Sequence, residues 1–232
     1  VSDTILVVNA GSSSIKFKLY EIGDRATLAS SARGHIDGVG TRPRLRVRDR
    51  RGAPLADRAF GPADVPDIPS AMAEAGAWLR THLGGALPVA VGHRVAHGGP
   101  VYSAPVIVDD AVLAVLDRFV PLAPLHQPHN LQPMRAIGQR FPGVPQVACF
   151  DTAFHRGHAE VADRYALPDE LYQAGVRRYG FHGLSYEYIA RTLPAVAPGV
   201  VQGAVVVAHL GSGASMCAVK GGRSVDSTMG FT

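Results

Sequence analysis

Apolar residues along this chain fall into two kinds of run, and their spacing separates them. Short runs with continuous or alternating apolar positions, at 4–8, 14–20, 44–48, 87–92, 145–150, 203–209 and 214–220, predict β-strands. In Ile15-Lys16-Phe17-Lys18-Leu19-Tyr20 the alternation is explicit: Ile15, Phe17 and Leu19 share one face, and Lys16, Lys18 and Tyr20 the other. Between these runs, helical spacing predicts helices over 70–83, 110–119, 129–140, 157–165 and 184–193. In the first, Met72, Ala75, Leu79 and Leu83 share a face, with Ser70 expected as N-cap and Gly84 as the stop. The second follows the cap candidate Asp109 and ends before Pro121, and the third carries Leu131, Met134 and Ile137. Helices alternating with apolar strands predict an α/β layered fold.

The interruptions of this pattern carry the chemical signal. Between the first two strands lie Asn9, Gly11, Ser12, Ser13 and Ser14, with Lys16 just beyond. Glycine admits backbone N–H groups close to an anion, hydroxyls add donors and lysine adds charge, so a phosphate turn is one reading. An ordinary hairpin with a polar tip is the other. A Walker loop is excluded, because Gly-x-x-x-x-Gly-Lys-Ser/Thr is absent and the chain resumes as a strand. The plan recurs in "VVVAHLGSGASMCAV", 205–219, where Gly211, Ser212 and Gly213 again separate two apolar strands. Gly11 and Gly211 lie 200 positions apart, too far for a solenoid period. Two such turns suit a nucleotide held between two similar domains; chance similarity of two hairpins is the alternative.

Composition adds little that changes this picture. At 232 residues and 47% hydrophobic content, the chain can bury one large core or two modest ones. The net charge of +4 is partly local, since six arginines fall between Arg42 and Arg51. There Arg44, Arg46 and Arg48 alternate with Leu45 and Val47, which predicts a solvated strand face. No aromatic residues interleave with them, so nucleic-acid binding is not expected. Cys149 and Cys217 sit in apolar runs without metal-ligand spacing and read as reduced, buried thiols. No leader pattern and no apolar run long enough for a membrane span is present in the sequence, and a cytoplasmic protein without membrane contacts is expected.

Four further segments place polar groups in turns: "VAVGHRVAHGG", "PLAPLHQPHN", "VACFDTAFH" and "RRYGFHGLS". They supply His93, Arg94, His97, His126, His129, Asp151, Arg177, Arg178 and His182, with Asp151 at the end of an apolar strand. His126 with His129, and His155 with His158, have i,i+3 spacing that suits zinc, which keeps a metal-dependent hydrolase as an alternative reading.

Taken together, "NAGSSSIKF", "GHRVAHGG", "PLAPLHQPHN", "VACFDTAFH", "RRYGFHG", "AHLGSGAS" and "DSTMGFT" closely resemble the acetate kinase family, which includes propionate kinases. They stand in the family's order and span positions 9 to 232. The resemblance implies the acetate and sugar kinase/Hsc70/actin fold, two duplicated ribonuclease-H-like domains around an ATP cleft. The first would cover 1–150, and 151–232 would begin a second that is incomplete in this chain. It implies reversible, Mg²⁺- or Mn²⁺-dependent transfer of the ATP γ-phosphoryl to acetate or propionate, giving ADP and an acyl phosphate. It also implies a homodimer in the full-length protein. Carried over, Asn9 would help hold the metal, and Ser12, Ser14 and Lys16 would surround the phosphates. His209, Leu210, Gly211, Ser212 and Gly213 would form the second nucleotide turn. Arg94 would bind the carboxylate, His126 would line the site, and His182 would hydrogen-bond the transferring phosphoryl. Asp151 would take the acid–base role. A carboxylic acid ionises near pKa ~4, so the substrate has no proton to lose at neutral pH, and a metal-positioning role is the physical expectation for Asp151.

The chain departs from the family pattern at several positions. Ser212 replaces the usual Asn, Gln127 the usual Asn, and Leu184 and Tyr186 the usual Thr and His; "DSTMG" inverts Thr-Ser. Ala96 stands where acetate-preferring members commonly have valine, with Leu125 and Phe181 as the other walls of the acyl pocket, so propionate is expected alongside acetate. The chain stops at Thr232, where the family continues. An inactive isolated chain, and association through strands 203–209 and 214–220, are therefore expected. A non-catalytic nucleotide- or phosphate-binding half-kinase module is the alternative.

Overall fold

The structure, a computed structural model, describes residues 3–231; Val1, Ser2 and Thr232, the last residue of "DSTMGFT", lie outside the described residues. By its contacts the chain forms two units. The first takes the chain up to Val95, then Ile107–Asp117 and Leu125–Ala148; the second takes Ala96–Val106, Arg118–Pro124 and everything from Cys149 onward.

The first unit is built on an antiparallel meander. β1 (Thr4–Ala10) pairs with β2 (Ile15–Ile22), placing Asn9 opposite Lys16 and Ala10 opposite Ile15. β3 (Leu28–Asp37), β4 (Arg44–Asp49) and β5 (Pro54–Ala59) extend the meander. After α1 (Ile68–His82), β6 (Ala90–Val95) returns parallel to β1 on its other side, with Val8 opposite His93. β7 (Val106–Ile107), α2 (Asp110–Asp117), α3 (Gln127–Arg140) and β8 (Gln146–Phe150) follow, and the sheet order is β5-β4-β3-β2-β1-β6-β8-β7.

The alternation read in β2 is the packing: Ile15, Phe17 and Leu19 are buried with Leu6, Val8, Ala32, Ile36, Leu45 and Val47, and with Ile68, Ala71 and Ala75 of α1. β3 escapes an apolar pattern because its inward positions include Ala32 and Gly34. A Cβ on Gly34 would lie 2.2 Å from Cζ of Phe17, so the ring fills the space that a side chain would need. β5, β7 and the last strand of the chain, Arg223–Ser227, are short or mostly exposed, and carry no readable period. The strand expected at 87–92 instead occupies Ala90–Val95, because polar His93 is buried in it by a partner from a distant strand. In α1 the N-cap is Asp67, not Ser70. Asp67 Oδ1 accepts the Ser70 N–H at 2.9 Å and Ser70 Oγ accepts the Asp67 N–H at 3.2 Å, a capping box. On β4, Arg44 makes a two-pronged pair with Asp57 and Arg46 reaches Asp37, so the arginine run is a solvated strand face.

In the second unit the helix expected over 157–165 is a single turn, α4 (Glu160–Asp163), after a 3-10 turn at Ala153–His155; α5 (Asp169–Gln173) follows. α6 (Gly183–Val196) then covers a three-stranded antiparallel sheet of β9 (Ala204–Leu210), β10 (Ala214–Lys220) and β11 (Arg223–Ser227), in the order β11-β10-β9. Tyr186 and Ala190 of α6 pack on Cys217 and Val219 of β10. On the sheet's other face Val206 and Leu210 are 68% and 80% exposed. Both cysteines are free thiols. No helix among the described residues is long and apolar enough to cross a membrane.

Candidate active site

In the first unit the polar turn between β1 and β2 is four residues long, and Gly11 N–H donates to Ser14 C=O at 2.9 Å to close it. Ser12 is exposed and Ser14 half-buried, with Lys16 on the outer face of β2. At the end of β1 the Asn9 carboxamide oxygen accepts from Arg94 Nη1 at 3.2 Å, so the metal candidate and the carboxylate candidate are neighbours. Arg94 points away from the core because β6 alternates: Val91, His93 and Val95 face inward. His93 is structural. Its Nε2–H donates to Gln146 Oε1 at 2.8 Å, Gln146 donates on to Met134 C=O at 3.0 Å, and burial pulls the His93 pKa down to about 4. The "PLHQPHN" segment opens α3. Asn130 Nδ2 donates to Ala10 C=O at 2.7 Å, pinning the end of β1, while His126 is the exposed N-cap residue and Leu125 is 75% exposed.

The second unit gathers the remaining candidates. Asp151, at the end of β8, is 2% exposed, and its backbone C=O accepts the N–H of Gly183 at 2.8 Å. A Cβ on Gly183 would lie 2.2 Å from that oxygen, so only glycine permits this contact. The residue before it, His182, sits in the left-handed region at φ 59°, a strained position for a non-glycine residue. Its Nδ1 is 2.7 Å from Ser215 Oγ, and its ring stacks on His209 with centroids 4.1 Å apart. The β9–β10 turn, Gly211–Gly213, is one residue shorter than its counterpart between β1 and β2, and Gly211 N–H donates to Gly213 C=O at 3.2 Å. Ser212 is exposed.

Ala96 and Phe181 are both buried, beside an aromatic cluster centred on His97, which meets Tyr179 at 4.3 Å and Phe181 at 5.5 Å. His97 Nδ1 accepts the Gly99 N–H at 2.8 Å, and burial, then Arg156, lowers its pKa to about 4. Gly99 must be glycine: its φ is +58°, and a Cβ would strike the Phe119 ring at 2.4 Å. Gly98 N–H donates to Thr152 Oγ1, so the "HGG" and "FDT" segments are joined. Arg177 and Arg178 do framework work instead: Arg177 pairs with Asp163, and Arg178 donates to Ser227 C=O. The His155 and His158 pair does not point at a common open site. Both rings turn to Ser224 Oγ, at 2.8 and 2.7 Å, and His155 Nε2–H donates to Phe181 C=O, which braces the His182 turn. Burial lowers the pKa of His155 to about 4 and lowers that of His158.

Residues 4–232 match the sequence pattern of the Acetokinase family. The chain belongs to the acetokinase family. It is 61% identical over 230 residues to an acetate kinase of Nitrobacter hamburgensis, covering 99% of this chain and 57% of that one. An acetate kinase of Rhizobium meliloti is 56% identical over 227 residues, with 98% and 57% covered. Among solved structures, Porphyromonas gingivalis acetate kinase superposes with a TM-score of 0.83 at 34% identity, covering all of this chain and 58% of its own. A propionate kinase from Francisella tularensis superposes at 0.86 and 33% identity, covering 99% and 58%. The fold is therefore the one these kinases share, and the chain spans somewhat more than half the length of the relatives it matches.

Within this acetokinase frame, each unit brings together its own share of the expected residues: Asn9, Ser14, Lys16 and Arg94 in the first, and Asp151, His182, His209 and the 211–213 turn in the second. Leu125 and His126 are both exposed. Sequence reasoning passed over Asn130, Thr152, Tyr186 and Ser215 as functional supports, and read His155 only as half of a zinc pair. Each lies inside a quoted motif or one residue from it, but only the packing gives it a partner. For a divalent cation, the described residues contain no cluster of three or more acidic, histidine or cysteine ligands. A magnesium ion carried on nucleotide phosphates needs only one or two protein oxygens, and the buried Asp151 carboxylate suits that. The Asn9 oxygen accepts from Arg94 and keeps a second lone pair.

Proposed function

We propose that the protein to which this segment belongs is an acetate kinase that also accepts propionate. Family membership supports this reading, and one structural observation carries it: the Asp151 carbonyl is locked to Gly183, which holds the strained His182 beside the 211–213 turn. In the reaction a carboxylate oxygen attacks the γ-phosphorus of ATP, the bond to the β-phosphate oxygen breaks, and ADP departs with that electron pair. Arg94 holds the carboxylate through its planar fork. His182 donates to the phosphoryl oxygens as charge spreads over them. In the first unit Ser12, Ser14 and Lys16 hold phosphate, and in the second the His209–Gly213 turn is the nucleotide turn. Asp151 would hold Mg²⁺, which neutralises phosphate charge when bound; Asn9 is the first unit's candidate for the same ion. Residues 1–150 then belong to the first ribonuclease-H-like domain and 151–232 open the second. The reading includes a cytoplasmic homodimer that engages neither nucleic acid nor membrane.

Trapping acyl phosphate as its hydroxamate tests the reading on the protein isolated from its source. Product is expected from both acetate and propionate, and Arg94→Ala should lower kcat/KM on the order of 10²–10³-fold. No product from either acid would overturn it. A source protein of this chain's mass that binds ADP without turnover would replace it with a nucleotide-binding module. Ala96→Val should shift preference toward acetate by an amount of order 1–3 kcal/mol, the worth of a methylene-sized gap.

A further inference from the structure

The ring of His182 is held from behind by a chain of hydroxyls that no motif announces. Its Nδ1 lies 2.7 Å from Ser215 Oγ, and the same oxygen lies 2.5 Å from the Tyr186 hydroxyl. Tyr186 is fully buried and Ser215 is 5% exposed, so these contacts are shielded from water. We propose that Tyr186 and Ser215 are positioning residues that fix the tautomer of His182, leaving Nδ1 as acceptor and the proton on Nε2.

The direction follows from proton counting. A serine hydroxyl has one proton and can donate to only one of its two neighbours, and a buried one that accepted from both would leave that proton without an acceptor. A phenol is the stronger acid and therefore the better donor of the pair, and burial raises the Tyr186 pKa, so its proton stays in place. Tyr186 O–H thus donates to Ser215 Oγ, and Ser215 O–H donates to His182 Nδ1. A neutral imidazole that accepts at Nδ1 carries its hydrogen at Nε2. Nε2 faces the 211–213 turn: a Cβ on Gly213 would be 3.3 Å from it.

The use of this N–H toward a transferring phosphoryl rests on the kinase reading, whereas the tautomer does not. The test is the long-range proton–nitrogen correlation spectrum of the 232-residue chain with ¹⁵N-histidine, with the His182 signals assigned by their loss in His182→Gln. The expected wild-type pattern is a neutral ring protonated at Nε2. Ser215→Ala and Tyr186→Phe should each move the tautomer ratio toward Nδ1–H by about fivefold or more, the worth of one hydrogen bond. Ser215→Thr, which keeps the hydroxyl, should restore it. A wild-type ring protonated at Nδ1 or at both nitrogens overturns the proposal, as does a ratio unchanged in both variants. The wild-type spectrum decides alone if a variant fails to fold. An Nε2–H ring in a protein that makes no acyl phosphate would sink the kinase reading and spare this one.

Discussion

Three buried histidines, His93, His97 and His155, should make this fold unusually sensitive to mild acid. Each has its pKa lowered to about 4, chiefly by burial, against about 6.5 in an unfolded chain. The folded value is the depressed one, so as pH falls below about 6.5 the unfolded chain takes up protons that the native chain refuses until near 4. Stability contributed by the neutral rings is complete above that window and lost through it. These three protons alone give a slope of about 4 kcal/mol per pH unit in mid-window, with about 4 kcal/mol gone by about pH 5.5, and His158, also lowered by burial, adds in the same direction. A domain typically has ~5–15 kcal/mol in total, so unfolding near pH 5 is expected. Carboxylates held low by partners, such as Asp57 and Asp169 beside Arg44 and Arg164, act below this window and do not confuse it. Urea unfolding followed by circular dichroism across the window measures the slope. His93→Gln keeps a donor for Gln146 and removes one titration, so its slope should fall by about 1.4 kcal/mol per unit. A wild-type slope near about 1 kcal/mol per unit, or a His93→Gln slope equal to wild type, would refute the reasoning.

Other consequences are equally local. Gly183→Ala pushes a methyl into the Asp151 carbonyl and should cost about 1–3 kcal/mol in urea unfolding; an unchanged midpoint would mean that the two loops are not locked together. Gly34→Ala should cost a similar ~1–3 kcal/mol, and Phe17→Leu in the same chain should recover part of it, whereas strictly additive losses would rule out the ring as the obstacle. Val206 and Leu210 lie exposed on the edge strand β9, so the chain should self-associate in sedimentation, and Val206→Lys should reduce that association without lowering stability.

Much of this protein is legible in its sequence. Alternation in β2 fixed which face is core, because period-two burial needs only neighbouring residues. The order of seven motifs fixed the family, since each packs Gly, Ser, His or Arg into a turn in a way that chance rarely repeats. Tertiary structure decided what local pattern cannot encode. β3 is a strand because Phe17 of the next strand fills the place of its glycine. His93, His126 and His182 look alike in sequence. One is a neutral core residue tied to Gln146, one is exposed at a helix start, and one is strained beside a hydroxyl chain. A histidine's role is set by desolvation and by hydrogen-bond partners, such as His93 with Gln146, 53 positions away. Such partners are chosen by the fold and not by the neighbouring sequence.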